Sequence, residues 1–478
     1  MDLSSLIILI YFAVTLLASF LCRKRNTELQ RLLAAPQELS AVFMIPLIFS
    51  GLFGGSTITG TIADAFRSGV SASWYLIGTA IGCFVFLALV FRFYRAMVVV
   101  KRSVSIPDAF AQRFDERTKI LMVLVIVVTN SLALSTIPLS TAGIISKITG
   151  ASYDATVWIC CAFLIVMALL SGIKGVAAMN IIHTLVMFLG LIILAVPCLQ
   201  QTGGLAALHT ALPAEYFAMS GKSAASVCAI LLGAILAIIT SPLAFITVVS
   251  SDKPKSAKRA LRICAVLIVP FAVLLTLIGL CCKALAPEAA ANTVFYDLAQ
   301  SFSPLCYVFI SMSILSATFS TAPASLLSII TTLNNDIFRS ILKKDATERQ
   351  QRLFVNLGVV LLAIGLMLLG KNASSILGQL TGATQIKSVA SVVLVVSLYW
   401  KRVDKDAAFY TMLVSSVIAM GWHLLGNPFG VQPLWPALAS TILMLLITTL
   451  PRKKAVSDDY ARYAQILRTY DALPPTEQ

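Results

Sequence analysis

Histidine, acidic residues and paired cysteine patterns are all scarce in this sequence. Its 478 residues include 3 histidines and 21 Asp and Glu, and its 10 cysteines show no disulfide spacing. No metal-ligand spacing and no nucleophile–histidine–acid set is found in it. We therefore expect no catalytic residues and no enzyme activity.

Charged residues are few as well, since only 12% of the chain is Asp, Glu, Lys or Arg. Apolar residues make up 58% of it, against about 45–50% in soluble domains, and the mean hydropathy is +0.91. This composition predicts an all-α membrane protein that crosses the lipid bilayer many times. We predict about thirteen spans, at residues 3–22, 41–66, 72–95, 120–146, 154–172, 176–199, 224–250, 262–285, 303–334, 353–369, 373–399, 407–425 and 434–450.

The net charge of +15 is distributed as membrane topology requires. When residues at the span ends are counted with the adjoining loops, alternate loops carry 30 of the 36 Lys and Arg and the other loops carry 5, and Lys387 alone lies deep inside a span. The positive-inside rule then places the N-terminus outside and the C-terminus in the cytoplasm. Because topology accounts for the positive charge, we expect no nucleic-acid partner.

Two adjacent hydroxyl residues, Ser320 and Thr321, interrupt a long apolar segment at residues 317–325 (ATFSTAPAS). The carbonyl of Ala317 lies about one helical turn before them, so three uncharged oxygens can point at one place. Neutral hard oxygens at membrane depth suit a dehydrated alkali cation. The alternative is that these hydroxyls bond to their own helix or to a neighbouring helix.

Two predicted spans carry sequences that break helices. Residues 50–60 (SGLFGGSTITG) combine glycines with hydroxyl residues, and residues 239–243 (ITSPL) contain a proline in a polar stretch. The second break follows five spans after the first, which is typical of transporters built from inverted repeats. We predict two five-helix repeats at 41–199 and 224–400, an N-terminal helix and connector at 1–40, two C-terminal helices at 401–450 and a cytoplasmic tail at 451–478.

Several short stretches resemble landmarks of the sodium/solute symporter family, which includes sodium-coupled sugar, proline, pantothenate and sialic acid transporters. The resemblance covers residues 41–425 in the expected order. Its stretches are residues 54–60 (GGSTITG), 68–74 (SGVSASW), 105–108 (SIPD), 171–175 (SGIKG), 251–260 (SDKPKSAKRA), 320–322 (STA), 335–339 (NDIFR) and 398–402 (LYWKR). It implies a leucine-transporter-type core of five plus five inverted helices.

The resemblance also implies a sodium site. The family binds this ion between backbone carbonyls of the first core helix and a carbonyl and two hydroxyls of the eighth. Those positions correspond here to Ser50 and Phe53, and to Ala317, Ser320 and Thr321.

Departures from the family pattern narrow the expected function. Asn180 stands where members with a second sodium site have an acidic residue, and Pro323 and Ala324 replace further hydroxyls, so we expect one sodium ion. Leu52 stands where proline transporters have an aspartate, which argues against proline as the substrate.

The substrate is expected beside the sodium ion. Thr57 corresponds to a polar substrate contact of the family, and Asn130, Ser131 and Thr240 are polar residues in apolar surroundings. Each of the last three could instead join two helices. Lys387 lies within a span, where a charge indicates function. It could bind a substrate carboxylate, replace a second cation, or extend its ammonium to the membrane surface.

We therefore predict a sodium-coupled symporter of the bacterial inner membrane that imports a small organic anion or zwitterion together with one sodium ion. One alternative is a proton-coupled carrier, which the scarcity of membrane carboxylates argues against. Another is a membrane sensor or receptor on the same fold, although the residues after Leu450 are too few for a signalling domain.

Overall fold

The computed structural model describes residues 6–8, 10, 11, 13–15, 17, 39–251, 253–370, 376–450 and 456–474. Most of the predicted N-terminal unit, residues 1–40, therefore lies outside the described residues. Helices form nearly all of the described chain, and its one β-bridge joins Leu39 to Ser251. The prediction of an all-α protein is confirmed.

The helices of the first half begin after a short N-terminal helical stretch, Leu6–Thr15. They are α1 (Ala41–Leu52), α2 (Gly55–Ser68), α3 (Trp74–Leu89), α4 (Phe91–Lys101), α5 (Ile106–Arg113), α6 (Glu116–Leu134), α7 (Ile137–Thr149), α8 (Tyr153–Gln201) and α9 (Gly204–Ala211).

The second half continues the series to the C-terminal region. Its helices are α10 (Ala224–Ile239), α11 (Pro242–Ser250), α12 (Pro254–Leu285), α13 (Val294–Phe302), α14 (Pro304–Thr332), α15 (Leu333–Leu342, a wide π-type turn), α16 (Glu348–Gly370), α17 (Ile376–Tyr399), α18 (Lys405–Leu424), α19 (Leu434–Thr449) and α20 (Asp458–Asp471).

Within the described residues, nine helices are long and apolar enough to cross a membrane, and four shorter apolar helices accompany them. Within the described residues, helical structure is present at each predicted span, and two stretches of the backbone differ from the predicted helix ends. The span predicted at 120–146 is interrupted at Ser135 and Thr136, between α6 and α7. The spans predicted at 154–172 and 176–199 form one 49-residue helix, α8, in the described backbone.

Both predicted helix breaks are present. Between α1 and α2, Phe53 and Gly54 leave the helical conformation, with φ/ψ of −119°/87° and −79°/175°. Between α10 and α11, the interruption falls at Thr240 and Ser241, immediately before Pro242. Backbone carbonyls beside such breaks lose their helical partners and become available to other groups.

The helix contacts have the symmetry that two repeats predict. The first broken pair, α1 and α2, packs on α12, and the second, α10, packs on α3. Likewise α6 packs on α17, and α8 packs along α14. In order along the two repeats, α1–α2, α3, α6 and the second part of α8 are core helices 1, 2, 3 and 5, and α10–α11, α12, α14 and α17 are core helices 6, 7, 8 and 10. A shift by five turns the contact 1–7 into 6–2, and the contact 3–10 into 8–5. The inverted orientation and the domain boundaries remain predictions.

Candidate functional site

The predicted sodium ligands on α1 and α14 lie together. The hydroxyl of Thr321 donates a hydrogen bond to the carbonyl of Ser50, and that of Ser320 lies 3.3 Å from the same carbonyl oxygen. Ser320 Oγ is also 2.9 Å from the carbonyl oxygen of Ala317. Ser50, Ala317 and Ser320 are fully buried. Four of the five predicted ligands therefore converge at membrane depth.

Phe53, the fifth predicted ligand, lies at the break that frees the carbonyls. Its ring packs against Phe49 and Phe271, with ring centres 5.2 and 5.5 Å apart. The next residue, Gly54, lies so close to Thr321 that an added Cβ would be 3.3 Å from its side chain. The glycine thus allows the broken backbone to approach α14.

The oxygens of this cluster carry no formal charge. They come from one carbonyl of α1 and from a carbonyl and two hydroxyls of α14. Among the described residues, no group of three or more His, Cys, Asp and Glu could hold a metal ion. The arrangement therefore suits a monovalent hard cation, for which neutral oxygens provide enough attraction.

A cavity of about 140 Å³ lies directly beside this cluster. Thr321 forms part of its wall, together with Gly54 and Gly55 of the broken helix and residues of α3, α6, α10, α11 and α17. A cavity of similar size, about 150 Å³, holds benzene in another protein. The cavity therefore has room for a solute of about six to eight non-hydrogen atoms.

Lys387 of α17 lines this cavity, and its ammonium lies between α17 and α6. Its ammonium nitrogen donates a hydrogen bond of 3.1 Å to the side-chain oxygen of Asn130 on α6. Among the described residues it forms no ion pair. An ammonium has three N–H donors, so two remain after the bond to Asn130.

The structure places Thr57, Asn130 and Lys387 around one cavity, as predicted. Ser131 and Thr240 are not among the described residues that line this cavity, and their substrate contacts stay a prediction. Thr240 Oγ1 lies 2.8 Å from Ser391 Oγ, which itself donates to the carbonyl of Leu236. Because a hydroxyl has one proton, Thr240 is the donor, and it joins α10 to α17.

The sequence analysis missed several polar residues of the cavity. Ser241, next to Thr240, lines it because the break turns the chain there, and Tyr75 and Thr79 of α3 line it one helical turn apart. Ser325 and Ser328 continue the polar face of α14 in the one to two helical turns after Thr321. The spacing 321, 325, 328 places one helical face on the cavity, and this signal was available in the sequence.

Asn180, the residue in place of a second-site carboxylate, is fully buried on α8. Its amide atoms have no hydrogen-bond partner within the described part of the chain. Nearby on α8, His183 Nδ1 lies 2.9 Å from the hydroxyl of Tyr11. A neutral amide attracts a cation less than a carboxylate does, so the stoichiometry of one sodium stays a prediction.

At the opposite end of α2, Asp64 and Arg67 lie one helical turn apart, but their side chains contact different partners. Asp64 pairs with Lys222 of the loop before α10, and Arg67 contacts Asn292 at 3.5 Å. This loop closes over the end of α2.

Comparison with known proteins identifies the chain. The model of the sodium:solute symporter family matches residues 32–415. This chain belongs to the sodium:solute symporter family. The resemblance found in its motifs is therefore confirmed, and the family consists of transporters rather than enzymes.

Relatives of this symporter-family chain share about a quarter of its residues. The high-affinity proline transporter PutP of Bacillus subtilis is 24% identical to it, over 94% of this chain and 98% of that protein. The osmoregulated proline transporter OpuE of the same organism is 23% identical, over 94% and 95%. The sodium/proline symporter of Escherichia coli is 22% identical, over 88% of each.

Solved structures show the same fold at lower sequence identity. A Na⁺-coupled sialic acid symporter in a substrate-bound, outward-open state is similar with a TM-score of 0.79 and 17% identity, over 94% of this chain and 97% of that one. The nucleobase-cation-symport-1 family transporter Mhp1 in a closed conformation gives a TM-score of 0.61 and 14% identity, over 90% and 98%. The chain is thus a multi-pass membrane transporter that imports a solute with sodium.

Proposed function

We propose that this protein imports a small organic anion or zwitterion together with one sodium ion by alternating access. Thr321 carries the proposal, because its hydroxyl belongs to the sodium cluster and also lines the solute cavity. Occupation of either site then favours the arrangement of α1 and α14 that the other site requires. Such coupling makes sodium raise the affinity for the solute, and the solute raise it for sodium by the same factor.

Sodium would be held by the carbonyls of Ser50, Phe53 and Ala317 and by the hydroxyls of Ser320 and Thr321. The break after Leu52 supports this assignment, because it leaves carbonyls without helical partners. On binding the ion, the two hydroxyls would turn their protons away from the Ser50 carbonyl and present lone pairs. Because all the proposed ligands are neutral, they attract the ion less strongly than a carboxylate would, which favours its release on the other side.

The solute would bind in the cavity at Thr57, Asn130 and Lys387. A buried ammonium bonded to a neutral amide leaves a positive charge that a carboxylate can neutralise. The volume of about 140 Å³ favours compact solutes over sugars or sialic acid. The proline-transporting relatives do not determine the solute of this protein, because they share only about a quarter of its residues.

The proposed membrane orientation follows from the distribution of Lys and Arg over the loops. We place the N-terminus outside and the C-terminus in the cytoplasm of a bacterial inner membrane, with the lipid bilayer around the peripheral helices. Exposed apolar side chains of α8, α12 and α19, such as Leu185, Val266 and Ile447, support contact with lipid. Sodium and solute would enter together from the outside.

The proposal is tested by uptake into proteoliposomes containing the full chain. Radiolabelled L-alanine, L-proline and pyruvate are compact carboxylates, and pyruvamide is an uncharged control for pyruvate. An inward sodium gradient should drive accumulation of at least one carboxylate and not of pyruvamide. Accumulation that follows a pH gradient and ignores sodium would indicate the proton-coupled carrier. Sodium binding without uptake of any carboxylate would favour the sensor on the same fold.

A further inference from the structure

A second cavity, of about 290 Å³, lies on the other side of the wall of the solute cavity. Pro242 and Ser328 line both cavities, so these two residues form a shared wall. The second cavity is bordered by the start of α5 and by α15, which lie next to two of the basic loops. By the distribution of Lys and Arg, this is the cytoplasmic side.

Two motifs that have no role in the sodium or solute site meet in this cavity. They are residues 105–108 (SIPD) and residues 335–339 (NDIFR), which are more than two hundred residues apart in the sequence. Ser105 Oγ donates a hydrogen bond of 2.9 Å to Asp336 Oδ2. The two motifs therefore form one structural unit at the cytoplasmic end of α6 and α14.

The carboxylates of this unit are held by one lysine. Lys119 Nζ lies 2.9 Å from Asp108 Oδ1 and 3.2 Å from Asp336 Oδ1. The side chains of Lys119 and Asp336 are 8% and 1% exposed, so this network is buried and fixed. It holds the start of α5 against α15 and gives the cavity a rigid wall.

Arg339 lines the same cavity but takes no part in this network. Within the described part of the chain, the side chain of Arg339 forms no ion pair and no hydrogen bond. A guanidinium presents a fork of N–H donors that matches a carboxylate. Asn335 also lines the cavity, and its side-chain oxygen accepts a hydrogen bond of 3.1 Å from Asn334, which leaves its own amide protons for another acceptor.

The wide turn of α15 brings these donors to one side. The bond from the backbone N–H of Lys343 to the carbonyl of Phe338, 2.7 Å long, spans five residues as in a π-helix. Such turns are rare and are frequent at functional sites. Because more residues fit into each turn, Asn334, Asn335, Asp336 and Arg339 all reach the cavity.

We propose that Arg339 and Asn335 form a second, exit-side binding site for the carboxylate of the transported solute. The apolar part of the solute would lie against Phe245, Ile246 and Val249 of α11, which form the opposite wall. This inference rests on the proposed function in that it assigns a carboxylate to the solute. The shared wall at Pro242 and Ser328 then separates two positions of one solute along its path.

The site is tested by the melting temperature of the purified full chain in potassium salts without sodium. Benzoate serves as the probe, because it joins a carboxylate to a flat apolar body, and potassium chloride at equal ionic strength is the reference. Wild-type protein should melt at higher temperature as benzoate increases, in a saturable way, because a ligand of the folded state stabilises it. Benzamide, which lacks the charge, should give no gain.

The variants are made in a Lys387→Met background, which removes the positive charge of the solute cavity, so that the remaining benzoate effect reports on this site alone. In that background Arg339→Gln should weaken the benzoate effect about tenfold or more in concentration, as expected for loss of a charge-assisted bond, while exposed Lys405→Met should keep it. If Arg339→Gln does not fold, Asn335→Ala and Arg339→Lys should each weaken the effect. No gain in wild type, or an equal gain in the Arg339 and Asn335 variants, would overturn the site. Sodium coupling is measured in a separate experiment, which compares the melting temperature in sodium with that in potassium. A failure of sodium coupling therefore does not change the result of the benzoate experiment.

Discussion

Thr321 and Lys387 provide the cavity with two kinds of polar contact, a neutral hydroxyl and a charge. The hydroxyl lies on the sodium side, in contact with the Ser50 carbonyl, and the ammonium lies across the cavity on α17. A positive residue and a sodium ion in one site repel each other unless an anion lies between them. A carboxylate bound near both would therefore couple the two.

Lys387→Met should abolish this coupling and leave the sodium site intact. Methionine keeps much of the length of the side chain but removes the charge, so carboxylate uptake should fall about tenfold or more. Folding should not suffer, because an unpaired buried charge is lost. The measurement is sodium-driven uptake beside the sodium-dependent melting temperature. Exposed Lys405→Met is the control, and unchanged uptake in Lys387→Met would contradict this role.

The residues of the site differed in how well the sequence predicted them. Ser320 and Thr321 could be found because adjacent hydroxyls in an apolar helix are conspicuous. The resemblance to the sodium/solute symporter family then predicted their role as sodium ligands. Thr240 and Ser241 show the limit, since the two are neighbours in the sequence and only Ser241 reaches the cavity. The direction of a side chain at a helix break depends on the local dihedral angles, which composition does not contain.

At the scale of the helices, the break between α1 and α2 depends on close packing against α14. A Cβ on Gly55 would overlap the hydroxyl of Thr318 and lie 2.9 Å from the carbonyl oxygen of Ile314. Such a contact cannot be relieved by a flexible side chain, because one partner is backbone. Glycine at this position therefore sets the distance between α2 and α14, and α14 carries three of the predicted sodium ligands.

Gly55→Ala should destabilise the protein and weaken sodium binding together. Overpacking costs about 1–3 kcal/mol, and separation of α2 from α14 would also move Ser50 away from Thr321. Gly365→Ala on α16 is the matched control, because no atom lies within 4 Å of a Cβ built there. Melting temperatures with and without sodium give both quantities. Equal behaviour of the two variants would show that the close approach has no importance.

Helix positions were predicted better than helix ends. Hydropathy located the helical segments because the apolar runs are long, but the two polar residues Ser135 and Thr136 are too few to divide an apolar run, although α6 gives way to α7 there. Nor did it join residues 153–201 into one helix, since the polar stretch between two apolar runs was interpreted as a loop. Both errors concern short polar stretches, whose conformation depends on packing rather than on hydropathy.

At the scale of the whole molecule, the C-terminal segment is more than a tail. Residues 451–478 were predicted as a cytoplasmic tail, yet α20 packs on α4 and α5, with Tyr463, Ile466 and Tyr470 buried. Their spacing of three and four residues marks one face of a helix and was available in the sequence. The segment thus joins the last residues of the chain to the region between α3 and α6.

Arg113 lies at the centre of this junction. Its guanidinium donates hydrogen bonds to the carbonyls of Ser397, at 2.5 Å, and Val403, at 3.4 Å, and it lies over the rings of Tyr460 and Tyr463. Burial lowers the pKa of Arg113 to about 10, so the group remains charged at neutral pH. One side chain therefore connects α5, the end of α17 and α20.

Arg113→Lys should lower stability by about 2–4 kcal/mol, because an ammonium cannot reproduce the planar fork and stacking of a guanidinium. Arg117→Lys is the control. Arg117 is exposed, and its ion pairs with Asp115 and Asp406 lie at the surface. The melting temperature of Arg117→Lys should therefore stay close to that of the wild-type protein. Chemical unfolding of the two variants provides the comparison. If this junction had no structural importance, both variants would have the wild-type free energy of unfolding.

Sodium binding at the α1–α14 contact is the central claim, and Thr321→Ala tests it most directly. The melting temperature of wild type should be higher in sodium than in potassium at equal ionic strength, because only the folded protein holds the ion. Thr321→Ala should lose this difference, whereas Thr448→Ala, whose hydroxyl bonds to its own helix at Met444, should keep it. Equal melting of well-folded wild type in both cations, or a sodium effect that persists in Thr321→Ala, would contradict the site.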